Sequence, residues 1–206
     1  MSRVVAIVGA ESTGKTTLAG ELAAALRVQG HRVAHVSEYL REFCVQHGRT
    51  PRQHEQAGIA AEQARRIGQA AETHDIVVAD TTALMIAVYS EFVFDDRSLY
   101  AQAEATQRDY ALTLLTALDL PWLADGTIRD GPHVREPVTT LVRASLARVG
   151  VAYSVVSGTG EKRLASALAV VRHALQPPAG PDAPRWQWLC EHCGDTACER
   201  HLLPRN

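Results

Sequence analysis

Val4-Val5-Ala6-Ile7-Val8-Gly9-Ala10-Glu11-Ser12-Thr13-Gly14-Lys15-Thr16-Thr17 is the stretch from which the rest of the chain can be read. Its first five residues form a continuous apolar run rich in β-branched side chains, the pattern of a strand buried on both faces. Gly9 to Thr16 then fits G-x-x-x-x-G-K-[ST] without a mismatch. Leu18, Leu22, Ala25 and Leu26 recur at helical spacing as far as Gln29, and Gly30 stands where a helix C-terminus wants glycine. Strand, glycine loop and helix together are the context this motif requires. Glycine lets the backbone turn its N–H groups inward as a nest for phosphate oxygens, and the positive end of the helix dipole adds to that field. Lys15 is expected to reach the β- and γ-phosphates, and the Thr16 hydroxyl to ligate Mg²⁺. The segment Gly9, Ala10, Glu11, Ser12, Thr13, Gly14, Lys15, Thr16 and Thr17 is therefore read as a cradle for ATP.

Working outward, further short apolar strands are expected at residues 33–36, 76–79, 112–115 and 152–156. Helices are expected at 51–71, with Pro51 in the first turn, and at 82–92, 138–149 and 161–175. This alternation requires right-handed crossovers. The fold class is α/β, a P-loop NTPase with a mostly parallel five-stranded sheet and helices on both faces, followed by a short Cys-rich C-terminal tail. The run Pro177-Pro178-Ala179-Gly180-Pro181-Asp182-Ala183-Pro184 breaks the pattern. Residues 1–176 are read as the catalytic domain, 177–184 as a linker and 185–206 as a Cys/His tail. There are no internal repeats.

Composition sets limits. The chain has 206 residues, 46% of them hydrophobic, which suffices for a real core. With 21 basic against 23 acidic residues, a general electrostatic grip on nucleic acid or on an anionic membrane is not expected. No apolar run approaches the roughly 18 residues of a membrane span. Met1-Ser2-Arg3 runs directly into the first strand with no signal-peptide pattern, and four cysteines do not make a disulfide scaffold. The expectation is a soluble, cytoplasmic protein.

Several positions beyond the loop carry candidate chemistry. Asp80 ends an apolar strand, where P-loop proteins place a Mg²⁺-organising aspartate; the competing reading is a cap for the helix at 82–92. Glu38 and Arg41 follow the second strand, at the edge of a parallel sheet where ligands bind. Glu38 can accept a proton from a substrate hydroxyl or hydrogen-bond to it, and Arg41 can hold Glu38 or the substrate. The competing reading is a surface pair at helical spacing. The segment 124–137 contains two glycines, two prolines and two arginines. Phosphoryl transfer needs positive charge and exclusion of water around the moving group, and a closing loop that carries Arg129 and Arg135 would supply both. A solvated loop is the alternative. Trp122 is a candidate to stack on a base or simply to pack. Ser157-Gly158-Thr159-Gly160 is a candidate adenine turn.

These residues also come in a familiar order. The loop with Glu11-Ser12-Thr13, the segment Glu38-Tyr39-Leu40-Arg41-Glu42, Asp80-Thr81-Thr82 with Tyr89, and Asp119-Leu120-Pro121-Trp122-Leu123-Ala124-Asp125-Gly126 with Arg129 resemble the ribosylnicotinamide kinase domain of NadR-type proteins. The Pro-Trp-x-x-Asp-Gly segment is the narrowest of these signatures. The resemblance covers about residues 3–175. It implies ATP-dependent phosphorylation of the ribose 5′-hydroxyl of nicotinamide riboside. By position it places Trp122 and Asp125 at the nucleoside, Glu38 near the hydroxyl and Arg129 on the lid. NadR proteins often carry an adenylyltransferase domain before the kinase; with the loop beginning at Gly9, neither that activity nor DNA binding is carried over.

The tail reads Cys190-x-x-Cys193-x-x-x-x-Cys198-x-x-His201, four soft donors within 12 residues. A structural tetrahedral zinc site is expected, with free thiols or a redox pair as alternatives and His192 as a competing ligand. Trp186 and Trp188 point to docking of the tail on the core, on another copy or on a protein partner. Cys44, beside Phe43, reads as packing.

The expectation is a kinase for a small nucleoside, most simply nicotinamide riboside. Catalysis would rest on Lys15, Arg129 and either Glu38 or Asp80 as base. Arg41, Trp122, Asp125 and Arg135 would meet the substrate, and Thr16 and Asp80 the Mg²⁺. Kinases for other nucleosides or nucleotides, and a regulatory ATP-binding module acting through a partner, are the alternatives.

Overall fold

The computed structural model describes residues 2–123 and 131–176. Five strands form one sheet: β1 (Arg3–Val8), β2 (Val33–Val36), β3 (Ile76–Asp80), β4 (Leu112–Thr116) and β5 (Tyr153–Val156). Their order is β2-β3-β1-β4-β5, and every pairing is parallel. β1 therefore lies between β3 and β4, with Ile7 opposite both Asp80 and Leu114. That register carries the end of β1, and the loop after it, to the level at which β3 ends in an aspartate. The sheet reverses its winding direction around β1, which opens a crevice beyond the strand ends.

Seven helices are described: α1 (Lys15–Val28), α2 (Tyr39–His47), α3 (Gln56–Thr73), α4 (Ala83–Phe94), α5 (Tyr100–Arg108), α6 (Arg135–Arg148) and α7 (Gly160–Leu175). Alternation along the strands divides the core. Val5, Ile7, Val78 and Leu114 face α1 and α7, where Leu18, Leu22, Leu26, Ala167 and Val171 close over them. Val8 and Leu115 face the opposite layer, which packs Ile59 of α3, residues of α4, and Val138, Val142 and Leu146 of α6. Residues 83–88 of α4 are all buried, as expected of a helix that is apolar all round. Truncating Leu22, which is fully enclosed, to Ala would cost about 2–5 kcal/mol.

Three details depart from the sequence reading. The helix expected from residue 51 begins later, as a 3-10 turn at Gln53–Glu55 that runs into α3 at Gln56, so Pro51 lies outside it. The cause is a local clamp. Arg49 donates to both carboxylate oxygens of Glu55 at 2.7 Å, and the Arg52 backbone N–H donates to Glu55 Oε2 at 2.7 Å. These bonds hold residues 49–52 as a loop. Helices α2 and α5 were not expected. Only Phe43 and Cys44 of α2 are buried, and α5 buries Tyr100, Ala103, Glu104 and Gln107, so neither displays a long apolar stripe.

Candidate nucleotide site and adjoining cavity

The loop between β1 and α1 is shaped by contacts that no side chain larger than hydrogen would allow at Gly9. Its φ is +146°, and a Cβ there would lie 2.1 Å from Thr116 Oγ1 on β4. That same hydroxyl lies 2.7 Å from Thr13 Oγ1, which donates to Ala10 O at 2.7 Å. Arg163 of α7 holds the loop from behind. It donates to Thr13 O at 2.6 Å and to Gly158 O at 3.3 Å, and lies 3.8 Å from Asp119 Oδ1. Burial pulls its pKa below the usual guanidinium range. Lys15 Nζ donates to Ala10 O at 2.8 Å, bridging the mouth of the loop. Helix α1 starts at Lys15 without a side-chain cap, so its first amides are left to the loop and to a ligand. Glu11 and Ser12 reach outward: Gly131 N donates to Glu11 Oε1 at 3.0 Å, and Leu123 N to Ser12 Oγ at 2.7 Å.

Asp80 closes β3 at 1% exposure, and its Oδ1 is enclosed with no hydrogen-bond partner among the described residues. It does not cap α4. The N-cap is Thr82, whose hydroxyl donates instead to Gln107 Oε1 at 2.8 Å. Between them Thr81 adopts φ +78°, outside the ordinary range for a β-branched residue, and its buried Oγ1 also has no partner. A buried carboxylate oxygen left unpaired is expensive. The Asp80 carboxylate and the Thr16 hydroxyl on α1 are oxygen donors, the ligand type that Mg²⁺ takes, while the N–H nest of the loop suits phosphate oxygens. The residues thus fit a magnesium–triphosphate pair on structural grounds.

A single cavity of about 620 Å³ runs from residues 11–17 of the loop into a chamber walled by α2, α3 and α4. Leu40, Met85, Ile86, Val93 and Phe94 form its apolar sides, with Tyr89 among them. Glu38, Arg41, Arg52 and Gln56 supply polarity. Glu38 Oε2 and Arg41 Nε lie 3.7 Å apart. Cys44 is buried in the wall, where burial first and the Glu38 charge second push its thiol pKa up.

Of the positions expected from sequence, Lys15, Thr16, Glu38 and Arg41 meet at this cavity. Asp80 is not among its lining residues, whereas the next residue, Thr81, is. Trp122 and Arg135 are not among its lining residues; the Trp122 indole N–H and the Arg135 Nε and Nη2 are enclosed without partners among the described residues. Asp125 and Arg129 lie outside the described residues, as do Cys190, Cys193, Cys198 and His201. Among the described residues no cluster of His, Cys, Asp and Glu is placed to hold a metal by itself, and no helix is long and apolar enough to cross a membrane. The sequence reading missed Gln56 and the Thr50–Gln53 stretch, all of which but Thr50 it placed inside a helix.

The nested loop at the end of the central strand, the sheet order and the buried aspartate on the neighbouring strand define a P-loop nucleotide-binding domain. Residues 4–163 match the family model described as AAA domain, and the chain belongs to that family. Among solved structures the chain is similar to NadR protein in complex with NAD and AMP-PNP, at 20% identity and a TM-score of 0.69 over 91% of this chain and 52% of that one. It is similar to NadR protein in complex with NR, at 21% identity and a TM-score of 0.69 over 90% of this chain and 53% of that one. It is also similar to thymidylate kinase from Ehrlichia chaffeensis, at 16% identity and a TM-score of 0.60, covering 82% of this chain and 98% of that one. The chain spans about half the length of the NadR structures, and its fold is that of a NadR-like P-loop kinase domain. A search of curated proteins finds no match.

Proposed function

We propose that this protein is an ATP-dependent kinase that phosphorylates the 5′-hydroxyl of a small nucleoside, with nicotinamide riboside as the preferred acceptor. The observation that carries the reading is the continuity of the cavity. A phosphate-binding loop and a largely apolar chamber share one space, with a carboxylate and an arginine lining it. A domain that uses ATP only as a switch has no need of such a chamber. The likeness in fold to the NadR complexes, one of them with NR, supports the choice of acceptor.

In this reading the backbone amides of residues 11–16 hold the triphosphate, and Lys15 neutralises charge that develops on it. Thr16 and Asp80 hold Mg²⁺, which when bound screens the phosphate oxygens from one another. Glu38 hydrogen-bonds the acceptor hydroxyl and takes its proton, and Arg41 orients Glu38. Asp80, committed to the metal, is the less suited base. Arg129, of the segment that follows β4, completes the charge around the transferring group; Arg135, enclosed away from the cavity, has no part in it. Burial by the walls of the chamber excludes water, which would otherwise compete as acceptor.

A second reading has one observation in its favour. Arg41 and Arg52 both line the chamber, and two guanidinium groups suit an acceptor that already bears a phosphate. A turnover assay over nucleosides and nucleoside monophosphates, with product phosphate located by NMR, separates the two. Nucleoside 5′-phosphate formation supports the first reading. Exclusive diphosphate formation supports the second, and ATP hydrolysis without any phosphorylated acceptor refutes both.

A further inference from the structure

Three glutamines are buried among the described residues, and their surroundings differ. Gln63 accepts from Tyr39 N at 2.8 Å and donates to Ser37 O and Thr81 O, each at 3.3 Å. Gln107 accepts from the Thr82 hydroxyl at 2.8 Å and donates to Thr113 Oγ1 at 2.9 Å. Both are pinned by protein at each end of the carboxamide, and neither lines the cavity. Gln56 is different. It is 5% exposed, its Oε1 is enclosed with no hydrogen-bond partner, and it lines the chamber.

An unpaired buried amide is a cost that folding alone does not recover. The position is nevertheless rigidly built. Gln56 is the first residue of α3, immediately after the 3-10 turn held by the Arg49–Glu55 clamp. Its backbone direction is therefore fixed by bonds made elsewhere, and its side-chain oxygen is left without a partner among the described residues. The chamber's walls include apolar side chains, from Met85, Ile86, Val93 and Phe94, with the aromatic ring of Tyr89. Such walls favour an unsaturated ring and disfavour a hydrated sugar or a bare anion.

We infer that Gln56 is a specificity-determining residue that reads an amide edge on the acceptor's ring, either the carboxamide of a substituted pyridine or the lactam of a nucleobase. A carboxamide turns half a revolution at little cost, so the end it presents to the chamber accepts from a ring-borne N–H or donates to the adjoining C=O. An amide is the ligand group that satisfies both orientations. A carboxylate, with no N–H to offer, can meet only the Nε2 end and so satisfies one orientation. This inference rests on reading the chamber as the acceptor site.

The experiment measures equilibrium binding and phosphoryl transfer separately, on the full chain. The acceptors are pyridine riboside carrying a 3-carboxamide, a 3-carboxylate or no substituent, together with thymidine for the lactam arm. Wild-type protein should bind and turn over an amide-bearing acceptor roughly 10- to 100-fold better than the unsubstituted riboside. Which of the carboxamide and thymidine is favoured identifies the source of the amide. Gln56→Met keeps the volume and removes the polarity. It should level the preference between substituted and unsubstituted acceptors while leaving the KM for ATP unchanged. If wild-type protein does not discriminate by the amide, or if Gln56→Met weakens all acceptors equally, Gln56 serves structure and the inference is overturned. The wild-type series stands by itself should the variant not fold. Amide-dependent binding without transfer sinks the kinase reading and keeps this one; transfer indifferent to the amide does the reverse.

Discussion

Arg163→Met tests whether the phosphate loop is held in shape from behind. Arg163 is 5% exposed and donates two hydrogen bonds, one at 2.6 Å to Thr13 O in the loop and one at 3.3 Å to Gly158 O. A charged donor at the shorter distance contributes about 1.5–3 kcal/mol, and the longer bond adds on the order of 0.5–1 kcal/mol. The substitution leaves Thr13 O to find a new partner inside the protein. Against this, removing the guanidinium releases the cost of its burial, the same cost that lowers its pKa. Asp119, 3.8 Å away and about a third exposed, returns to solvent with little penalty. The balance is a loss of roughly 1–3 kcal/mol, or about 3–10 °C in melting temperature for a domain of this size. Because Thr13 immediately precedes the Gly14–Lys15 turn, the loss falls on the loop. Binding of an ATP analogue should weaken roughly 10-fold or more, and Arg163→Lys should restore part of it. Calorimetric unfolding with and without the analogue measures both effects. A variant that melts as wild type and binds the analogue equally well would show that the loop keeps its shape without Arg163.

Lys15→Ala should reduce turnover by about 10²–10³-fold, the usual consequence of removing one preorganised donor, with an unchanged unfolding curve; comparable loss of stability would assign Lys15 to the fold. Gly9→Ala places a methyl 2.1 Å from Thr116 Oγ1 at a φ of +146°, so it should abolish nucleotide binding, and Gly9→Ala combined with Thr116→Ala, which removes the clashing oxygen, should not rescue it because the backbone strain remains. Glu55 and Glu62 are held at about 2 by hydrogen bonds from Arg49 and Arg65, each reinforced by a second donor. Since folding lowers these values from 4.5, their stabilisation is present above pH 4.5 and is lost as pH falls towards 2. Melting temperatures should drop through that window, and Glu55→Gln should flatten the drop while disturbing acceptor affinity through the turn before Gln56. Purified protein should carry about one zinc per chain if Cys190, Cys193, Cys198 and His201 form a tetrahedral site, and metal analysis with thiol titration checks it.

The sequence by itself determined the architecture and the phosphate loop, because both are encoded locally. Strands buried on both faces read as near-continuous apolar runs, so β1 and β3 are legible one at a time. The loop needs glycine at fixed spacing and a lysine and a hydroxyl directly after it, so Gly9 to Thr16 can be read without any partner element. Helices α2 and α5 were not legible, since few of their residues face the core and those of α5 are half polar. The start of α3 was misread because the clamp between Arg49 and Glu55 overrides the usual meaning of Pro51. What only the tertiary structure decided is which polar groups are left without partners. The pairing of Gln63 and Gln107 and the isolation of Gln56, Thr81 and Asp80 depend on packing between elements far apart in sequence. Three glutamines of identical chemistry thus take different parts, because hydrogen-bond satisfaction is a property of the assembled interior and not of the residue.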